Sequence, residues 1–169
     1  MKKIMFMFAM LAVSFTMQAQ TKFHDAAAME AYGNVKSLTV SVMGQTQTST
    51  FDADGKLISG SLSDIVYDAD GYIKTAKIEM MGQKLAVEYK WADGKVIGTA
   101  IEAMGQKISS TRTFNDKGAT DKETMDMGGQ KMETPYTDYK YDERGNWISR
   151  KSSMMGQTME QTRTIEYFD

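Results

Sequence analysis

Methionine is the residue type whose number and spacing most directly suggest chemistry. The chain has 169 residues, of which 16 are methionine and none is cysteine. Four methionines stand immediately before a Gly-Gln pair: Met43, Met81, Met104 and Met155. Thioether sulfur favours soft ions such as Cu(I), so these four are candidate metal ligands. Methionine is also an adaptable filler that can cover the end of a hairpin, and this is the interpretation that we favour.

Aromatic side chains are the second group with binding chemistry. They cluster on segments that have the composition of strands, at Tyr89, Trp91, Tyr139, Tyr141 and Trp147. Such rings could stack on sugars and form a ligand-binding surface, or they could stabilise pairs across neighbouring strands. The second role is the more common one.

Catalytic groups are scarce. His24 is the single histidine and lies near the N-terminus; without cysteine and without a second histidine, neither a Cys-His nor a Ser-His-Asp arrangement has a convincing set of residues. Glu79, Glu88 and Glu102 could supply the carboxylate pair of a glycoside hydrolase, but their spacing selects no two of them. We therefore predict no catalytic residue, no cofactor and a protein that is not an enzyme.

The N-terminus has the pattern of a secretory signal, with two lysines, an apolar run over 4–15 and small or polar residues around Ala19. Cleavage near Ala19 or Gln20 would leave 21–169 as a single domain, with 1–20 removed. The apolar run is shorter than the about 20 residues of a membrane-spanning helix, so we expect no transmembrane helix. Without cysteine the chain is not a lipoprotein. It should be exported to the periplasm, the cell surface or the medium.

The net charge and the charge distribution of the chain limit the classes of partner that it could bind. The formal net charge is −2, and acidic and basic residues are mixed along the chain. No basic stripe is present, which argues against nucleic acid. The remaining candidates are a small apolar or carbohydrate ligand, or another protein of the cell envelope.

Two turn signals alternate after residue 35. One is Met-Gly-Gln, where a two-residue Gly-Gln loop predicts a type II′ hairpin; the other is Asp-x-x-Gly, which predicts a type I turn with a left-handed glycine and a bulge. Both join neighbouring antiparallel strands. The Met-Gly-Gln turns should therefore lie at one rim of a meander and the acidic turns at the other.

Between these turns the sequence predicts an all-β fold with one short helix over 25–32, for which Asp25 is the expected cap. We predict about 12 strands, joined by short hairpins and curled into a barrel or half-barrel. They lie near 35–43, 46–52, 56–59, 62–67, 72–81, 84–91, 95–104, 107–114, 119–127, 131–141, 146–155 and 158–168.

Residues that flank a two-residue loop point to the same face of the sheet, and this rule separates an apolar from a polar face. The apolar face includes Leu38, Val40, Val42, Phe51, Ile78, Leu85, Val87, Ile97, Ile101 and Ile108. If that face is inward, 12 strands leave room for a groove or cavity, since about eight are just filled by side chains. If it is outward, the chain is a small outer-membrane barrel. Against this, Lys74, Arg112, Arg150 and Arg163 share the apolar face, where lipid would disfavour them.

The segment Tyr-Lys-Tyr-Asp-Glu-Arg-Gly-Asn-Trp-Ile-Ser-Arg at 139–150 resembles a YD repeat of the RHS type, and 67–73 and 51–57 are looser copies. The copy that begins at Trp91 lacks the Asp, and the next has Asn115 in its place. The resemblance implies long antiparallel sheets that wrap or bind material outside the cytoplasm, often carbohydrate. It implies no catalytic residue. The signal resembles those of small exported proteins from Bacteroidota-type bacteria.

These observations predict an exported, non-enzymatic binding or scaffolding protein that uses the face of a repetitive β-sheet, with an apolar or carbohydrate ligand. The outer-membrane barrel and a Met-rich Cu(I)-binding protein are the alternatives.

Overall fold

The computed structural model describes residues 21–80, 82–103, 105–154 and 156–169. The chain forms one short helix, α1 (Asp25–Ala28), and 12 antiparallel strands in a nearly closed, barrel-like sheet, which confirms the predicted all-β class. The strands are β1 (Val35–Val42), β2 (Gln45–Phe51), β3 (Leu57–Ser59), β4 (Leu62–Tyr67), β5 (Ile73–Met80), β6 (Gln83–Ala92), β7 (Lys95–Ala103), β8 (Gln106–Phe114), β9 (Thr120–Met127), β10 (Gln130–Tyr141), β11 (Trp147–Met154) and β12 (Gln157–Tyr167).

The strand order is β3-β2-β1-β12-β11-β10-β9-β8-β7-β6-β5-β4. Consecutive strands are neighbours everywhere except at β3 and β4, which do not pair. In addition, the first strand pairs with the last, with Val40 opposite Arg163. The two edge strands, β3 and β4, are therefore consecutive in the chain. We call the gap between them, where no strand pairing forms, the seam.

The acidic turns have the predicted geometry. Asp52, Asp68, Asn115 and Asp142 each accept hydrogen bonds, through one side-chain oxygen, from the backbone N–H groups two and four residues later. The glycine three residues after each has a φ between 80° and 84°. The copy that begins at Trp91 lacks this Asp and forms a two-residue turn instead, closed by Ala92 and Lys95.

The prediction for the other turn is wrong by one residue. The loop is Met43-Gly44, not Gly-Gln, because Val42 pairs with Gln45. Met43 has a φ of 51° and Gly44 of 78°, which is the type I′ geometry that matches the twist of a two-stranded ribbon. The Gly128-Gly129 loop has the same positive φ values. Met81, Met104 and Met155 lie outside the described residues.

This shift leaves the predicted faces unchanged, because it moves each pairing by two residues. Glu79 pairs with Lys84, and Ile78 pairs with Leu85. Ile97 and Lys74 are exceptions. The register shifts between Lys90 and Trp91, so Val96 turns inward and Ile97 is exposed. It also shifts between Val66 and Tyr67, and on the facing strand Ile73 is buried and Lys74 is exposed. A bulge of this kind cannot be read from alternation alone.

The helix is shorter than predicted. It ends at Ala28, and Glu30 two residues later has a φ of 57°, which does not continue a helix. Asp25 does not cap it either: the cap position is His24, which makes no side-chain cap bond. The carboxylate of Asp25 is turned toward the sheet.

Candidate binding site inside the barrel

The N-terminal segment identifies the inner face of the sheet. Ala26 and Ala31 pack on Val35, Leu38 and Phe51 in a buried cluster. Every strand residue in register with Leu38 shares this face. The segment lies across the end of the barrel that carries the acidic turns, and we call the opposite end, where β2, β6, β8, β10 and β12 begin, the mouth.

Glutamines surround the mouth. Strands β2, β6, β8, β10 and β12 each begin with a glutamine that pairs with the last residue of the preceding strand. These residues lie on the inner face and are exposed. They are Gln45, Gln83, Gln106, Gln130 and Gln157, opposite Val42, Met80, Ala103, Met127 and Met154.

Below the glutamines the inner face is mainly apolar. The next pairs are Ile78 with Leu85, Ile101 with Ile108, Met125 with Met132, Val40 with Gln47 and Ser152 with Met159. We call these pairs the apolar wall. All but Gln47 and Ser152 are half-buried, so the side chains do not fill the interior. A cavity of about 670 Å³ opens at the mouth beside β1 and β2, lined in part by Val40, Val42 and Gln47.

An ion pair forms the polar floor of the site. Arg150 Nη1 donates to Glu30 Oε2 at 2.9 Å, and both side chains are only 10% exposed. Thr120 donates to Glu30 Oε1 from both its N–H and its hydroxyl. Burial favours the protonated form of Glu30, but Arg150 and Thr120 outweigh it, and the pKa of Glu30 lies below its ordinary value. The guanidinium of Arg150 lies 4.0 Å from the ring centre of Tyr136 and 4.1 Å from that of Trp147.

Arg163 holds the segment that follows the helix. Its two terminal nitrogens donate to the carbonyl oxygens of Met29, at 3.0 Å, and Glu30, at 2.6 Å, and its Nε donates to the carbonyl of Trp147. Burial lowers the pKa of Arg163 to about 10. Because these groups satisfy one another, the floor supports the segment and offers few free donors to a ligand.

Arg112 and Glu123 form a second ion pair between the floor and the apolar wall. Arg112 Nε lies 3.2 Å from Glu123 Oε1, and the two side chains are 19% and 22% exposed. Tyr136 donates to the other oxygen of Glu123 at 3.4 Å. Glu123 lies two residues deeper than Met125 on β9, so this pair borders the apolar wall on that side of the barrel.

The segment before the helix joins the two edges of the seam. Phe23 donates its N–H to Asp54 O at 2.8 Å, and His24 donates to Gly71 O at 3.2 Å. Asp25 Oδ2 accepts from Leu57 N, on β3, at 2.7 Å and from the hydroxyl of Tyr67, on β4, at 2.8 Å. We call residues 22–25 the clasp.

The clasp contains a buried carboxylate. Asp25 is fully buried, and its Oδ1 has no hydrogen-bond partner among the described residues. Burial raises the pKa of Asp25 more than the bonds from Leu57 and Tyr67 lower it.

The five predicted aromatic ligands fall into two separate groups, on β6 and on β10–β11. Trp91 donates from Nε1 to the carbonyl of Ile73 at 2.7 Å, and Tyr89 lies 6.5 Å from Trp91. Tyr139 donates to the carbonyl of Thr120, Tyr141 accepts from Asn115 Nδ2, and Trp147 is 4% exposed. The structure does not bring the two groups together, and their ligand-binding role stays a prediction.

The other candidates lie away from the inner face. Met43 is 77% exposed in its turn, and Lys74 is exposed. Glu79, Glu88 and Glu102 are on the outer face, where Glu79 lies opposite Lys84 and Glu102 opposite Lys107. Among the described residues, no three His, Asp or Glu side chains are grouped so that they could hold a metal ion.

Sequence reasoning missed the contacts of the floor. Arg112, Arg150 and Arg163 on an otherwise apolar face were the available signal, and Glu30, their nearest partner in the N-terminal segment, carried no sign of its role.

No protein-family model matches the chain, and no curated protein is significantly similar to it in sequence. Over the residues that the structure describes, no helix has the length and hydropathy to cross a membrane.

Proposed function

We propose that this chain is an exported, non-enzymatic binding protein that holds an apolar ligand against the inner face of the barrel. The observation that carries this proposal is the half-buried apolar wall between the glutamines of the mouth and the satisfied ion pairs of the floor. Apolar area that stays exposed to water costs free energy, at about 25 cal/mol per Å², and covering it with a ligand favours binding, against the entropy cost of association.

The chemistry of the wall narrows the ligand class. Methionine and branched aliphatic side chains offer no hydrogen bonds, and methionine adapts to irregular shapes. The glutamine amides at the mouth donate and accept hydrogen bonds without carrying charge. A ligand with an apolar body and an uncharged polar end fits both features.

The outer face favours this proposal over the outer-membrane barrel. That face carries exposed charged residues of both signs, among them Lys77, Glu79, Lys84, Glu102 and Lys107. Lysine at the midplane of a bilayer costs about 2–4 kcal/mol. A surface with these exposed charges is suited to contact with water and not with lipid.

The resemblance to YD repeats keeps carbohydrate as the second ligand class. The aromatic rings that would stack on sugar are, however, used in internal hydrogen bonds and ring contacts. We therefore place the apolar ligand first.

The test is to express the full chain in a bacterium, purify the exported protein without detergent, and record native and denaturing mass spectra. We expect a soluble species that carries an extra mass, released by organic extraction and apolar in composition. A soluble, empty oligomer would favour the scaffold, and recovery only from detergent-solubilised membranes would favour the outer-membrane barrel.

A further inference from the structure

We propose that Met125, Met127 and Met132 form a binding site for a soft monovalent metal ion, Cu(I) or Ag(I). All three lie on the inner face of the β9–β10 hairpin, just below the mouth. Met125 is directly opposite Met132, and Met127 is opposite Gln130. The site is a different one from the four methionines that the sequence suggests, of which Met43 lies on the β1–β2 turn, 77% exposed, and lines the cavity beside those strands.

The register brings the three thioethers within reach of one ion. Directly opposite residues have Cβ atoms about 4.5–5.5 Å apart, and diagonal neighbours about 7–8 Å apart. Met127 is a diagonal neighbour of Met132, and it lies two residues from Met125 on the same strand. Methionine has three rotatable bonds, so sulfur atoms from these positions can converge.

The three side chains are accessible from the interior. Met127 is 38% exposed, and Met125 and Met132 are half-buried. Met154 and Met159 continue the same inner face on the β11–β12 hairpin, where Met159 is opposite Ser152. An ion that enters through the mouth therefore meets thioethers on two adjacent hairpins.

The donor set selects the class of ion. Thioethers are neutral and soft, which suits Cu(I) and Ag(I), whereas divalent ions such as Zn²⁺ or Mg²⁺ prefer imidazole or carboxylate. The closest carboxylate on the inner face is Glu123, which is already paired with Arg112. The amide oxygen of Gln130 is the neighbouring neutral donor.

The experiment titrates the protein, expressed as the full chain and exported, with Cu(I) under anaerobic conditions against a chromophoric Cu(I) chelator, and in parallel with Ag(I). The test variant carries Met125→Leu, Met127→Leu and Met132→Leu, and the matched control carries Met43→Leu. Leucine retains apolar bulk and removes only the sulfur.

We expect one equivalent of Cu(I) to bind to the wild type and to the control. The triple variant should bind it at least about tenfold more weakly, since even the outer partners of metal ligands change affinity by that factor. X-ray absorption of the copper-loaded wild type should show sulfur neighbours. Equal affinity in the triple variant, weaker binding in the Met43→Leu control, or copper with only nitrogen and oxygen neighbours would overturn the proposal.

Two checks keep this outcome separate from the apolar-ligand proposal. Failure of the apolar-ligand proposal would show in the wild type itself, as the absence of binding to an apolar fluorescent probe, whereas failure of the metal site would show only in the copper titration. If the triple variant does not fold, the single Met132→Leu variant and the absorption spectrum of the wild type decide the question.

Discussion

Glu30 is a buried acidic residue that forms an ion pair with Arg150 in the interior. It connects the N-terminal segment to Thr120 on β9 and to Arg150 on β11, and its backbone carbonyl accepts from Arg163 on β12. Removing one member of a buried ion pair leaves the other charge uncompensated. Its side chain and backbone together place the segment over the end of the barrel.

Glu30→Gln should therefore destabilise the fold by about 3–5 kcal/mol at neutral pH, the usual result of breaking a buried pair. Glu133→Gln, which removes an exposed pair with Lys122, is the control and should change little. Urea unfolding monitored by tryptophan fluorescence measures both. A Glu30→Gln variant as stable as the control would contradict the role of the ion pair.

The same residue predicts a pH dependence. Because the pKa of folded Glu30 lies below the ordinary 4.5, its contribution to stability is present above that value and is lost as the pH falls through the folded pKa. The wild type should thus lose more stability than Glu30→Gln when the pH is lowered from 5 to 3. Parallel curves would show that Glu30 does not titrate in this way.

Asp25 predicts the opposite trend. Its folded pKa is raised above the ordinary 3.8, so its contribution to stability is present below that value and is lost as the pH rises through the folded pKa. Asp25→Asn keeps an oxygen acceptor for Leu57 and Tyr67 and removes the charge. Its stability relative to the wild type should increase with pH between 3 and 7, in the same urea experiment. Asp25→Ala, which loses the acceptor, should be destabilised throughout.

At the scale of elements, two glycines let the clasp approach the hairpin turns. Gly71 has a φ of 83°, and a Cβ added there would lie 2.0 Å from Lys22 O; at Gly55 it would lie 2.3 Å from Phe23 O. Gly145 occupies the same position of the same turn type, also at a φ of 83°, with nothing within 4 Å of an added Cβ. The acidic turns thus share one geometry, but only those beside the seam contact the clasp.

Gly71→Ala should destabilise the protein more than Gly145→Ala. Both variants incur the strain of a left-handed residue, about 1–2 kcal/mol, and only Gly71→Ala also displaces the clasp. Hydrogen exchange should become faster at residues 22–25 in Gly71→Ala and not in Gly145→Ala. The same exchange rates in the two variants would mean that the clasp does not depend on this contact.

The hairpins could be predicted from the sequence because their signals are local. Asp142 and Gly145 define a turn within four residues, and alternation assigns most side chains to a face even where the turn itself is misplaced by one residue. The bulge that exposes Ile97 gave no signal, because composition does not specify which strand carries an extra residue. Methionine at a positive φ, as at Met43, is also uncommon, which is why glycine was expected at the first turn position.

For the whole molecule, the contacts that the sequence did not predict are those between residues far apart in the chain. The pairing of β1 with β12 and the contact of Glu30 with Arg150 join positions at opposite ends of the chain. No turn motif and no residue periodicity in the sequence indicates either contact. These contacts bring β1 and β12 together, so that 12 strands nearly enclose a space with the N-terminal segment across one end.

Neighbouring residues on opposite faces of β8 test most directly whether this space binds an apolar ligand. Ile108 lies on the apolar wall opposite Ile101, and Ser109 lies on the outer face opposite Ala100. The measurement is the titration of the delipidated wild type, Ile108→Gln and Ser109→Gln with an uncharged apolar fluorescent probe, with the folding of each checked by its thermal melt. We predict saturable binding to the wild type and to Ser109→Gln, and weaker binding to a folded Ile108→Gln. Binding that is unchanged in Ile108→Gln, or absent from the wild type, would contradict the account.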